Sequence, residues 1–95
     1  MDVIFRALSD PTRRRVLQLL RERPMTAGEL ADQFALSKPT LSAHFAVLRE
    51  AGLIEPVRQA TTITYHLKLS VLEEALLAFA NSLHIGIAAK PVDQT

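Results

Sequence analysis

Between Thr26 and Gly52 the stretch TAGELADQFALSKPTLSAHFAVLREAG holds two helix starts so close together that only a tight turn can join the helices. Thr26 with Glu29 fits a capping box, in which the hydroxyl accepts an N–H from the first turn and the carboxylate reaches back to the cap's own N–H. The helix this launches turns Leu30, Ala31 and Phe34 inward. Ser37 is the second N-cap. After it, Leu41, Phe45 and Leu48 recur at i, i+4 and i+7 and form a core stripe. Gly52 suits the left-handed residue that closes such a helix. A small Ala31 where the helices cross, and Leu36 filling the turn, allow the close approach that ordinary amphipathic pairs do not need.

The flanking sequence supplies the remaining elements. Val3–Leu8 reads as a short first helix. SDPTRRRVLQLLRERP follows, with Asp10 as N-cap, Pro11 at the first helical position, Val16, Leu17, Leu19 and Leu20 as the buried face, and Pro24 as the stop. Beyond Gly52 the texture changes. LIEPVR and TTITYHL are β-rich runs separated by Gln59 and Ala60, a hairpin spanning 54–67. Ser70 with Glu73 fits another capping box, and the pattern predicts a last helix over 71–84 ended by Gly86. Residues 88–95 read as a flexible tail. The expected fold is mainly α with a small β-hairpin (α+β), a winged helix-turn-helix in the order α-α-α-α-β-β-α, and a single domain over 1–95.

Composition excludes several function classes. The chain has no cysteine, so disulfides, thiolate metal sites and thiol redox chemistry are ruled out. No stretch approaches a membrane span and no leader pattern opens the sequence, so a cytoplasmic protein without a membrane partner is expected. The net charge is only +1. Its distribution is more telling: residues 1–60 hold nine Lys/Arg against seven Asp/Glu, and residues 61–95 hold two against three. A polyanion would meet the first part of the chain. An enzyme is not expected, because Ser37, Thr40 and Ser42 near His44 have no carboxylate spaced to orient the histidine and no oxyanion or phosphate loop.

LSDPTRRRVLQLL followed by MTAGELADQFALSKPTLSAHFAVLREAGLIE resembles the ArsR family of bacterial repressors over about residues 3–84, most of all its metal-independent SdpR-type autorepressors. The resemblance implies a homodimer that binds an inverted-repeat operator in double-stranded DNA, with the first and last helices as the dimer interface. By position it assigns DNA contact to Ser37, Lys38, Thr40, Ser42 and His44.

The residues themselves bear on that assignment. With Leu41, Phe45 and Leu48 inward, the opposite face of the 38–51 helix carries Pro39, Ala43 and Ala46, flanked by Thr40 and Ser42. A face this small can sit deep in a major groove, where Ala and Pro touch thymine methyls and Thr and Ser bond base edges. His44 lies beside the core stripe, so a half-buried ring bonded to backbone and a phosphate contact both fit it. Ala43 stands where relatives often carry arginine, which shifts sequence preference toward DNA shape. Positive charge comes from Lys38, Arg49 and Arg58. Arg13, Arg14 and Arg15 read first as a solvated face partly paired with Asp10. The wing lacks the usual glycine turn and extra basic residue; beside Arg58 it offers Thr61 and Thr62 as neutral phosphate donors.

The last helix is apolar over much of its circumference. Leu72, Leu76, Phe79 and Leu83 repeat with heptad-like spacing, and with Val3, Ile4 and Phe5 they are the expected dimer contact. No metal or other cofactor is expected: ELADQF carries no thiol, and Glu73, Glu74 and His84 do not converge on one helix. Two alternatives stay open, a winged helix that binds protein instead of DNA and a repressor with a metal site on the last helix. An inducer, protein or small molecule, is not legible in the sequence.

Overall fold

The computed structural model describes residues 2–86, so the tail expected at 88–95 lies outside the described residues. Helix α1 (Asp2–Leu8) runs into α2 (Pro11–Glu22), which starts where the Asp10 carboxylate accepts the N–H groups of Thr12 at 2.8 Å and Arg13 at 3.2 Å. Pro11 opens α2, where its missing N–H leaves no bond unmade. Helix α3 (Ala27–Ala31) is launched by the predicted capping box: Glu29 N–H donates to Thr26 Oγ1 at 3.0 Å and Thr26 N–H to Glu29 Oε1 at 2.9 Å. Helix α4 (Lys38–Glu50) is capped by Ser37. It ends in a Schellman motif, with Gly52 at φ 76°, its N–H on Arg49 O, and Leu53 N–H on Leu48 O at 3.0 Å.

The expected hairpin is present as β2 (Ile54–Gln59) and β3 (Thr62–Leu67), antiparallel from Ile54 opposite Leu67 to Gln59 opposite Thr62. Its two-residue turn places Ala60 at φ 55°, the left-handed region that favours glycine. The sheet has a third strand that sequence reading missed. Met25–Thr26, labelled β1, pairs with β3 at Tyr65 and Thr64, giving the order β1-β3-β2. Two residues are too few for any periodic signal. The pairing arises because buried Met25 carries the chain past Tyr65 before Thr26 caps α3.

The core joins α1, α2, α3, α4 and the sheet. Val16, Leu30, Leu48 and Leu53 are fully buried, Leu41 nearly so, and Phe45 packs on Tyr65 with ring centroids 5.0 Å apart. Among the described residues no polar or charged side chain is fully buried.

Several local expectations are corrected. Helix α3 is shorter than read: Gln33 N–H turns back to Leu30 O and Phe34 N–H to Ala31 O, i→i−3 bonds that tighten and end it. Phe34 therefore packs on the core from beyond the helix, and Leu36 is exposed instead of filling the turn. Leu19 is only half-buried. Helix α5 (Leu69–Ser82) starts before the predicted 71 because Lys68 N–H bonds Leu53 O at 2.8 Å, fixing its origin against the end of α4. Ser70 then lies inside the first turn, and the Ser70–Glu73 box does not form. At the other end His84, not Gly86, takes the left-handed position, at φ 59°, with its N–H on Asn81 O and that of Ile85 on Ala80 O.

Leu48 meets the core with no exposed surface. Leu48→Ala is expected to lower unfolding free energy by about 2–5 kcal/mol, measured by chemical denaturation. In a domain this small that is a large share of the total.

Candidate nucleic-acid interface

Because α4 buries Leu41, Phe45 and Leu48, its other face is turned out by helix periodicity, and Lys38, Pro39, Thr40, Ser42, Ala43, Ala46 and Arg49 are all exposed. The Ser37 hydroxyl accepts Thr40 N–H at 3.3 Å and donates to Thr40 Oγ1 at 2.9 Å. The two hydroxyls at the head of the helix are thereby held as a pair, with acceptor capacity left on the threonine. Lys38 and Ser42 also border a cleft of about 220 Å³ between α3 and α4, floored by Ala27, Gly28, Ala31, Leu41 and Phe45. Ala31, read from the sequence as permitting close helix approach, instead lines this cleft, and α3 packs chiefly on the sheet.

Arg58, Thr61 and Thr62 lie together at the exposed tip of the β2–β3 wing. Lys68 pairs with Glu55 at 3.3 Å and Arg23 with Glu29 at 3.4 Å, both on the surface. Among the described residues Lys38, Arg49 and Arg58 make no ion pair, so their charge is available to an incoming anion.

His44 occupies the boundary its position suggests. Its side chain is 16% exposed, but the partner is not backbone. Nδ1 lies 3.1 Å from Arg13 Nη1 and 3.9 Å from Asp10 Oδ2. The same guanidinium donates from Nε to Ala7 O at 2.9 Å and from Nη2 to Arg6 O at 3.0 Å, while Arg14 donates to Leu8 O at 2.7 Å. Arg13 and Arg14 thus bind the last carbonyls of α1, of which Arg6 O also accepts the N–H and hydroxyl of Ser9. Only Arg15, with a long contact to Gln18, keeps the solvated character read for the whole run. Arg13 is the residue that sequence reasoning missed. Its place in the first turn of α2, two residues after a very short link, was a signal that it could reach back to α1; nothing local pointed to His44.

Asp10 sits beside this cluster. Partial burial pushes its carboxyl up, but the N–H groups of Arg13 and Thr12, with the charge of the Arg13 guanidinium, outweigh that and hold it below the ordinary carboxylate value. Glu29 is lowered too, first by the Thr26 N–H and then by Arg23.

Residues 8–57 match a helix-turn-helix domain family. The chain is 40% identical over 86 residues to the transcriptional repressor SdpR of Bacillus subtilis strain 168, an alignment covering 90% of this chain and 96% of that one. The chain belongs to the ArsR family of winged-helix transcriptional repressors. It is also 39% identical to the regulator KmtR of Mycobacterium tuberculosis, covering 87% of this chain but only 65% of the relative. Two solved structures share the fold. An ArsR family transcriptional regulator superposes with a TM-score of 0.75 at 36% identity, covering 86% of this chain and 87% of that one. An ArsR-like regulator from Rhodococcus superposes at 0.78 with 27% identity, covering 85% and 74%. This is a family of DNA-binding regulators, not of enzymes, and its winged-helix architecture is the one described here. No helix among the described residues is long and apolar enough to cross a membrane.

Stabilisation by a carboxylate such as Asp10, held below its unfolded value, is complete above that value and is lost as pH falls through the folded one. The stability difference between the protein and its Asp10→Ala variant is therefore expected to be constant near neutrality and to shrink below about pH 4. Urea denaturation at a series of pH values measures it.

Proposed function

We propose that the protein is a homodimeric, sequence-specific repressor that binds an inverted-repeat operator through α4 and the wing, and that it acts without a metal effector. The observation that carries this reading is the outer face of α4: small and uncharged along Pro39, Ala43 and Ala46, and bordered by exposed Lys38 and Arg49. A face without long side chains enters a major groove, and the cations beside it meet the phosphates. Ser37, Lys38, Thr40, Ser42 and His44 are the proposed contacts on α4, with Arg58, Thr61 and Thr62 on the wing. Since Ser37 is already engaged with Thr40, Thr40 is the better reader of a base edge.

Dimerisation rests on a second surface. Val3, Leu76, Leu77, Phe79 and Leu83 are each at least 40% exposed, and Phe79 stands edge-on to Phe5 at 4.9 Å, so α1 and α5 present one apolar face. A second copy covers it. Of the residues expected there, Ile4 and Leu72 pack chiefly on the core of their own protomer. A two-fold dimer places its half-sites about one helical turn of DNA apart, or a multiple of it. Metal independence is supported by the absence of cysteine from the chain and by His84, which lies past the end of α5 while Glu73 and Glu74 sit near its start. Control of its own gene follows the SdpR-type resemblance.

Fluorescence anisotropy with duplex DNA from upstream of the gene, across a salt series and with and without chelator, tests the reading. Affinity is expected to fall steeply with salt and to be indifferent to chelator. Lys38→Ala is expected to weaken binding to every duplex and to lower the salt slope by about one; an unchanged slope would remove Lys38 from the interface. Sedimentation equilibrium of Leu83→Glu is expected to show loss of the dimer with the fold intact, and a dimer of undiminished strength would place the interface elsewhere.

A further inference from the structure

The Arg13–His44 contact has a chemical consequence. A guanidinium is always protonated and has no acceptor atom, so the 3.1 Å contact between Arg13 Nη1 and His44 Nδ1 has one polarity: arginine donates and Nδ1 accepts. A ring that accepts at Nδ1 is neutral and carries its proton on Nε2. Among the described residues Nε2 has no hydrogen-bond partner. His44 stands on α4 between exposed Ala43 and buried Phe45, at the edge of the proposed DNA face. A ring in that tautomer offers an N–H donor, the group a phosphate oxygen accepts.

The arginine is itself held in place. Its Nε and Nη2 are taken by Ala7 O and Arg6 O, so the guanidinium cannot turn toward solvent without leaving the Ala7 carbonyl unbonded, whereas Arg6 O would keep the N–H and hydroxyl of Ser9. Asp10, engaged with the N–H groups of Thr12 and Arg13, keeps the first turn of α2 in register beneath the ring. We infer that Arg13 is a positioning residue for DNA recognition: it fixes the tautomer and orientation of His44 so that Nε2–H is the donor presented to an operator phosphate. The inference rests on the operator-binding reading above. It also makes the C-terminus of α1, a helix of the proposed dimer face, one support of a DNA contact.

Arg13→Lys keeps the charge but loses the planar fork that spans both carbonyls and the ring. Operator affinity is expected to fall roughly tenfold in this variant, the scale of one hydrogen bond from a charged donor. In a His44→Ala background the same substitution is expected to have almost no effect. His44→Gln, whose amide nitrogen stands in for Nε2, is expected to recover part of the affinity lost in His44→Ala. Thermal melts confirm that each variant is folded. Imidazole ¹⁵N spectra of the DNA-free protein are expected to show protonated Nε2 and bare Nδ1 for His44, shifting toward a tautomer mixture in Arg13→Lys; this readout needs no DNA and, for the unaltered protein, no variant. An equal loss from Arg13→Lys in both backgrounds, or a proton on Nδ1 in the unaltered protein, overturns the proposal. A correct tautomer in a protein that binds no duplex selectively overturns the operator reading instead, and the proposal falls with it.

Discussion

Anchoring of α4 by Leu41, Phe45 and Leu48 is the constraint on which the rest of the structure depends. These side chains are 7% exposed or less and face α1, α2 and the sheet, where Phe45 meets Tyr65. A helix held that firmly along one stripe has no freedom to roll, so its outer row is presented at a fixed angle. The Schellman close at Gly52 and the Leu53 carbonyl bonded to Lys68 then fix where the wing leaves the helix and where α5 begins. The outer face of α4, the wing and α5 are aimed by the same buried contacts.

Around that anchor the charges are divided between two tasks. Arg13 and Arg14 are spent inside the protomer, on the last carbonyls of α1 and on His44. Lys38, Arg49 and Arg58 are left for an external anion. A net charge of +1 is therefore a poor guide to the charge this surface offers an anion. What matters is which cations have no internal partner, and only three-dimensional packing sorts them.

The apolar surplus is divided in the same way. Leu72, though it shares the spacing of the exposed residues of α5, packs on its own core, as Ile4 does on α1, whereas Leu76, Phe79 and Leu83 remain outside. Heptad-like spacing marks a helix that is covered on more than one side. It does not say which residues a given partner covers, because that depends on how the helix is rotated against its neighbours.

Capping chemistry and hydrophobic period made much of this molecule readable in advance. Asp10, Thr26 with Glu29, Ser37 and Gly52 act as read, because each bond they make lies within a few residues along the chain. The stripe on α4 and the existence of the hairpin are legible for the same reason, though its turn falls at Ala60 and Thr61, one residue past the Gln59 and Ala60 read from the sequence. Features set by contacts distant in sequence were not. Strand β1 exists because β3 runs beside it, and α5 starts at Leu69 because Leu53 accepts the Lys68 N–H. Arg13 meets a histidine that lies thirty-one residues away. The sequence by itself determined the helices, their order and the buried stripe of α4, since local hydrogen bonds and side-chain periodicity are written in neighbouring residues. Tertiary structure alone decided which arginines are internal ties and which tautomer His44 adopts, since those depend on atoms that only folding brings within hydrogen-bond reach.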